Sequence, residues 1–357
     1  MKKLTLILLT FFIIIAGLEG CDTKHTTFFL NLPVKVSSSD RTFELRGSLL
    51  PLSKEAMGVH WIDPSPDSLL MLHRDSRDAL HCFYSVYTRS GRYVKEILRA
   101  GRGPGEFTIA NICRYSRKGD TTFMYIADIN LHKYFKIDLT ETLAGNTTAV
   151  VESWPIPAYM IDVFATDEGH LAGTGLVKGK IGGVIYDLAT QQTVEYPLFD
   201  CTLNDAYGEG MLAANKEIRP AGDKIVFTMV GLNEVNIWNL KEPQKSISVA
   251  PDNQIVSFDE AIATNRFQRK VYYYGAAVSD ELIIALYTGG KMNDAEYSQS
   301  STPMPLHVFD WDGNMLCKLK PDRKLSNLYL TDNHKLYGLD KEERIWVYDL
   351  APVLKQL

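Results

Sequence analysis

Leu306-His307-Val308-Phe309-Asp310, followed at once by Trp311-Asp312-Gly313-Asn314, is an apolar and aromatic run that ends on an acidic side chain and a turn signal. Branched and aromatic residues at alternating positions fit a pleated strand, and Asp-Gly marks a tight hairpin turn. The phrase recurs. It returns as Phe83-Tyr84-Ser85-Val86-Tyr87-Thr88, Tyr134-Phe135-Lys136-Ile137-Asp138, Val184-Ile185-Tyr186-Asp187, Val235-Asn236-Ile237-Trp238-Asn239 and Ile345-Trp346-Val347-Tyr348-Asp349. The last polar residues of the six copies stand at 88, 138, 187, 239, 310 and 349, with gaps of 50, 49, 52, 71 and 39. A period of roughly 50 residues is what a four-stranded propeller blade and its loops require. The long gap contains the polar, turn-rich stretch from Thr288 to Pro305, expected as an insertion between strands, and the short gap predicts a compact final blade.

The expected fold is therefore all-β: a six-bladed β-propeller of four-stranded antiparallel blades around a central channel. Ser90-Gly91 and Asp332-Asn333 mark further turns, and the polar stretch around Asp259 to Lys270 reads as a short helix or a loop. No Pro-, Gly- or Ser-rich linker divides residues 41–357, so they are expected as one closed domain. The strand-like segment Thr42 to Leu49 precedes the first copy and is expected to complete the last blade, which would fasten the ring.

The N-terminus reads differently. Lys2 and Lys3 precede an apolar run from Leu4 to Leu18 that ends at Gly20 and Cys21, the layout of a secretory signal over residues 1–20. The run is shorter than the roughly 20 apolar residues that a spanning helix needs. A cysteine directly after a small residue at this point resembles the lipobox of bacterial lipoproteins, with Glu19 as a departure from the pattern, and implies acylation of Cys21. Residues 21–40, rich in Ser, Thr and Lys, are expected as the tether from lipid to ring. The implied location is the cell envelope, outer membrane, on its periplasmic or surface face, with the membrane engaged only through the anchor.

The 357 residues carry a formal charge of −5, which becomes −6 once Lys2, Lys3 and Glu19 leave with the signal. A mildly acidic chain lacks the clustered Lys and Arg that nucleic acid demands, so no nucleic-acid partner is expected. Cys82, Cys113, Cys201 and Cys317 are widely spaced without a CxxC pair, which argues against a zinc site and leaves disulfides or buried free thiols open.

Gly103-Pro104-Gly105-Glu106-Phe107, then Met124-Tyr125-Ile126-Ala127-Asp128 and His132-Lys133, resembles the NHL-type propeller repeat, with Lys133 where Arg is usual and Leu131 where Asn is usual. Leu282 to Gly289, His307 to Asn314 and Lys335-Leu336-Tyr337-Gly338 are similar to the TolB-like six-bladed propeller lipoproteins of Bacteroidetes. The likeness implies fold and export and says little about activity.

Candidate site residues come from three places. The stretch from Arg99 to Phe107 is Gly-rich, but no Lys-Ser or Lys-Thr follows it and Pro104 removes an amide, so it reads as an inter-blade loop with Phe107 turned inward. Arg99, Arg102 and Glu106 are retained as residues that would line a propeller face. In Tyr272-Tyr273-Tyr274 successive rings alternate sides, which makes Tyr273 a candidate contact. The insertion, with Lys291, Asn293, Asp294, Glu296 and Tyr297, is polar enough to stand in solvent and is the first candidate for a partner contact. The eight histidines, His25 and His60 among them, form no HxxxH or HExxH spacing, and no GxSxG elbow occurs, so no metal, cofactor or catalytic residue is assigned. The expected function is non-catalytic binding of an envelope protein or a glycan. The alternative is a metal-dependent hydrolase or lyase, like a sugar lactonase, working at the propeller axis.

Replacing Cys21 by Ser is expected to abolish acylation and cleavage at that site, leaving an unprocessed chain that retains residues 1–20 and carries no lipid. Mass spectrometry of the N-terminal peptide checks this, and an unacylated Cys21 in the wild-type chain would end the lipoprotein reading.

Overall fold

The computed structural model describes residues 29–357 apart from 67, 75–81, 168 and 200–213, together with the side chains of Asp259, Ile262, Arg266 and Asp294. The signal, Cys21 and Cys201 lie outside the described residues.

Three short N-terminal strands come first: β1 (Val34–Val36), β2 (Thr42–Leu45) and β3 (Ser48–Leu49). The first blade is β4 (Val59–Asp63), β5 (Leu69–Arg74), β6 (Cys82–Thr88) and β7 (Tyr93–Arg99). The second is β8 (Asn111–Lys118), β9 (Thr121–Asp128), β10 (Lys133–Asp138) and β11 (Ala149–Pro155), and the third is β12 (Met160–Ala165), β13 (His170–Val177), β14 (Lys180–Asp187) and β15 (Thr193–Tyr196). The fourth runs β16 (Ala214–Ile218), β17 (Lys224–Met229), β18 (Val235–Asn239) and β19 (Ile247–Ala250), and the fifth β20 (Val271–Val278), β21 (Leu282–Met292), β22 (Leu306–Asp310) and β23 (Met315–Pro321). The sixth takes β24 (Asn327–Leu330), β25 (Lys335–Leu339) and β26 (Ile345–Asp349) from the C-terminus and β3 from the N-terminus. The fold is the six-bladed, four-stranded propeller that the repeat predicts.

All six sequence copies fall on the third strand of a blade, and their terminal polar residue closes the turn that follows. Asp187 accepts from the amides of Ala189 and Thr190, Asn239 from those of Lys241 and Glu242, and Asp310 from those of Asp312 and Asn314. Asp138 accepts from Glu141 and caps the short helix α1 (Leu139–Ala144). A short side chain at the strand end satisfies amides that would otherwise face solvent loosely, which is why this position is polar in every copy.

Alternation then sorts apolar side chains between neighbours. Along β9, Met124 and Ile126 pack with β5 and β6 of the first blade, while Tyr125 and Ala127 pack toward the third. Along β21, Ile283 and Ala285 join the cluster shared with the fourth blade and Leu282, Ile284 and Leu286 the cluster shared with the sixth. Each of the six inter-blade gaps holds one hydrophobic cluster.

Thr42 to Leu49 behaves only partly as expected. Ser48–Leu49 pairs antiparallel with β26 and closes the sixth blade, but Thr42–Leu45 runs parallel to β23 as a fifth strand of the fifth blade. The tether expected over 21–40 needs a similar correction, because its described part lies on the ring. Val34–Val36 runs parallel to β19, and Phe29, 0% exposed, packs on Phe199 and Phe227 at 5.5 and 5.7 Å between centroids. Apolar side chains at Phe29, Leu30 and Leu32 gain more from the cleft between the third and fourth blades than Ser and Thr residues gain from solvation.

The seam between the sixth and first blades is also stitched by side chains. Glu343 accepts from the amides of Gly58 and Val59, Asn327 from Ile62, and Tyr329 from Ser65. Cys82, Cys113 and Cys317 are free thiols, and burial pushes Cys113 up to about 12. No described helix is long and apolar enough to cross a membrane.

Replacing Phe29 by Ala empties a fully packed site and is expected to lower stability by about 3–5 kcal/mol. Urea unfolding would register this as a lower midpoint, whereas an unchanged midpoint would show that residues before β1 are not part of the folded ring.

Candidate functional site at the ring axis

The first strand of each blade lines the axis, and all six run the same way. Four of them carry a bulge near the start, with an extra residue at His60, Cys113, Ile161 or Tyr274. A bulge bends the strand and re-aims the following side chains. The residues that follow include Trp61, Arg114 and Asp162, three side chains that the regular alternation would aim elsewhere.

Two connected cavities fill the channel. One, of about 390 Å3, opens where the inner strands begin and is walled by Trp61, Asn215, Lys216, Glu217, Tyr274 and Asn327. The other, of about 430 Å3, continues toward their ends past Asp63, Arg114, Tyr115, Tyr329 and Asp332.

The polar groups inside differ in how well they are held. Asp63 accepts from the Tyr84 hydroxyl at 2.5 Å and lies 3.2 Å from Nδ1 of His73, whose ring stacks on Tyr84 at 4.7 Å. Burial first, then the Asp63 charge, drives the Tyr84 hydroxyl well above its ordinary range. Asp162 receives Nζ of Lys216 at 2.5 Å, and the Thr174 hydroxyl donates to the same oxygen. Glu217 has no hydrogen bond or ion pair to any described residue. Enclosure, and secondarily the negative charge of Asp63, push its carboxyl up to about 8. Nδ2 of Asn215 and the hydroxyl of Tyr115 are enclosed without a partner.

The aromatic wall is rigid. Trp61, 45% exposed, leans on His73 at 5.3 Å. Tyr274 stacks on Tyr297 at 3.9 Å, and Nζ of Lys324 lies 3.9 Å over the Tyr297 ring.

The residues expected from the sequence fall elsewhere, for reasons of packing. Tyr273 is 0% exposed, wedged between Tyr287 and His307, so it is core; its neighbour Tyr274 reaches the channel. Tyr297 is also buried, with its hydroxyl donating to the carbonyl of Leu325. It belongs to the helix α3 (Asp294–Gln299), closed by a capping box in which Asn293 accepts from Glu296 and its amide donates back to Glu296. The insertion is therefore a folded buttress behind Tyr274, with Asn293 used as a cap and Lys291 left exposed. The Asp294 side chain lies outside the described residues. The intervening stretch around Asp259 to Lys270 forms helix α2 (Phe258–Ala263) and a 3-10 turn.

Arg99, Arg102 and Glu106 sit at the outer rim between the first and second blades. Arg99 pairs with Glu106 at 3.5 Å beside a cleft of about 220 Å3, away from the axis, and Arg102 is exposed. Phe107 is buried, as read from the sequence, and Gly101 and Gly105 take positive φ angles of 157° and 75°. A Cβ on Gly101 would meet Oε2 of Glu106 at 2.0 Å, so the glycine is needed for the ion pair.

Among the described residues no group of three or more His, Cys, Asp or Glu side chains is placed to hold a metal ion. No family model matches the chain, and no curated protein matches it. Solved structures do. A Bacteroides fragilis protein described as exported is 12% identical, with 86% of this chain and 98% of that one covered at a TM-score of 0.52. A DUF4221 family member from Bacteroides vulgatus is 11% identical, with 88% and 95% covered and a TM-score of 0.48. A streptogramin B lyase is 13% identical, with 85% and 97% covered and a TM-score of 0.41. At such identities the likeness is one of fold.

The raised Glu217 carboxyl makes stability fall with pH. Between the ordinary value of 4.5 and about 8 the unfolded chain has lost a proton that the folded chain keeps, so the cost of burial grows across that window and is constant above it. Glu217→Gln is expected to match the wild type near pH 5 and to exceed it by on the order of 2–4 kcal/mol at pH 8. Urea midpoints at the two pH values check this; equal differences at both would show that the carboxyl is not confined.

Proposed function

We propose that this chain is an exported, Cys21-anchored binding propeller that takes a glycan fragment into the channel mouth where the inner strands begin. The observation that supports it most is the convergence of Trp61, Tyr274, Asn215 and Glu217 on one cavity. Sugars present apolar ring faces edged with hydroxyls, and a site for them pairs aromatic surface with a few donors and acceptors. Trp61 and Tyr274 supply the surface, Asn215 a side-chain amide and Glu217 a carboxyl with no partner among the described residues. Export is supported by the signal-like residues 1–20, and agrees with the description of the Bacteroides fragilis protein that shares the fold. The channel binds rather than turns over its ligand in this reading, because the carboxylates at Asp63 and Asp162 are tied to neighbours that hold them in place.

A glycan array followed by calorimetry tests the reading. Trp61→Ala is expected to weaken the best-bound oligosaccharide at least about tenfold, equivalent to about 1.4 kcal/mol. Binding that survives Trp61→Ala and disappears in Lys291→Ala would move recognition to the outside of the insertion.

A further inference from the structure

The mouth contains an acidic group that the fold itself does not use. Of the three carboxylates near it, Asp63 is held by Tyr84 and His73, and Asp162 by Lys216 and Thr174. Glu217 shares the cavity wall with Trp61 and Tyr274, and none of the described residues pairs with it. Resting on the glycan reading above, we infer that the ligand carries a compact organic cation, the ammonium of an amino sugar, with Glu217 as its counter-ion and Trp61 and Tyr274 as its aromatic walls.

The surroundings favour that charge. An ionised carboxyl enclosed without a partner is costly, and a cation delivered by a ligand removes the cost. Aromatic faces attract ammonium groups, most strongly where water is excluded. The charged and titratable groups around Glu217 are Asp63 on β4, His73 on β5, Cys113, Arg114 and Tyr115 on β8, Asp162 on β12, Lys216 beside it on β16, Arg219 just after β16, Tyr274 on β20, Tyr329 on β24 and Asp332 after it. Lys216 is occupied by Asp162 at 2.5 Å, and Arg219, further along, by Asp223 at 3.3 Å. Arg114 lines the deeper cavity, whose wall Glu217 shares, but it makes no ion pair with Glu217 and does not line the mouth.

The protonation balance is explicit. Glu217 holds its proton in the empty channel near neutral pH; when an ammonium group binds, the carboxyl O–H bond breaks, the proton passes to the buffer and the carboxylate pairs with the cation. Ammonium binding then strengthens as the pH rises from about 5 toward neutrality, for as long as the amine itself stays protonated, whereas a neutral sugar that accepts a hydrogen bond from the protonated carboxyl would weaken.

Three tetrasaccharides separate these cases: the β-1,4 glucosamine tetramer, its fully N-acetylated counterpart and a galacturonate tetramer, titrated calorimetrically into the full chain at pH 6.5 in buffers of different ionisation enthalpy. The cationic tetramer is expected to bind at least tenfold tighter than the acetylated one and to release protons. Glu217→Gln should erase both the preference and the release. Equal affinities for the two, or a preference that persists in Glu217→Gln, would overturn the inference; if the acetylated tetramer still binds in a Trp61-dependent way, the glycan reading stands without it. Binding of the cationic tetramer that Trp61→Ala leaves unchanged would count against both.

Discussion

The fold depends on one constraint: the sheet of each blade is apolar on both faces, and only another blade can cover them. Tyr125 and Ala127 look one way from β9, Met124 and Ile126 the other, and each set is covered by a different neighbouring blade. The same division runs through β21 and β25. A single blade would leave half of these side chains in water, so the blades are stable only as a closed stack. Closure covers the faces of the blades and leaves the inner strands as edges that line the channel.

That leftover edge is where the structure does something other than pack. Regular alternation would direct inner-strand residues only into the two neighbouring gaps. The bulges at His60, Cys113, Ile161 and Tyr274 break this pattern at corresponding places, and the residues beside them reach the axis. The outer strands fix the walls, and the insertion in the fifth blade fixes one wall more firmly. Tyr274 is held by Tyr297, Tyr297 by Lys324, and α3 by its capping box, so the aromatic surface of the mouth is fixed by packing within the chain.

What the sequence disclosed and what it hid follow from the same geometry. The third strands were legible because burial, alternation and the turn-closing Asp or Asn fall within a few residues of each other. Thr42 to Leu49 was legible as a closing strand, but the parallel pairing of β2 with the fifth blade was not, nor was β1, because three or four residues paired in parallel at a rim carry no local pattern. The site was hidden for a stronger reason. Trp61, Asn215, Glu217 and Tyr274 come from three different blades, and their convergence depends on bulges and ring closure, which no short spacing encodes. Polarity misdirected the reading of the insertion, since Asn293 and Glu296 are polar in order to cap one another and Tyr297 is aromatic in order to be buried.

The N-terminal segment joins these two themes. From Phe29 to Leu49 it crosses the gap between the third and fourth blades, then adds β1 to the fourth, β2 to the fifth and β3 to the sixth, so half of the ring is belted by residues that precede the first blade. A force applied at the N-terminus meets the buried Phe29 cluster before it reaches the seam, where only two residues of β3 complete the sixth blade. The seam is also where Asn327 and Ile62 join two inner strands beside Trp61 and the mouth. An anchor upstream of Phe29 would therefore load a packed aromatic cluster rather than the joint on which the shape of the channel depends.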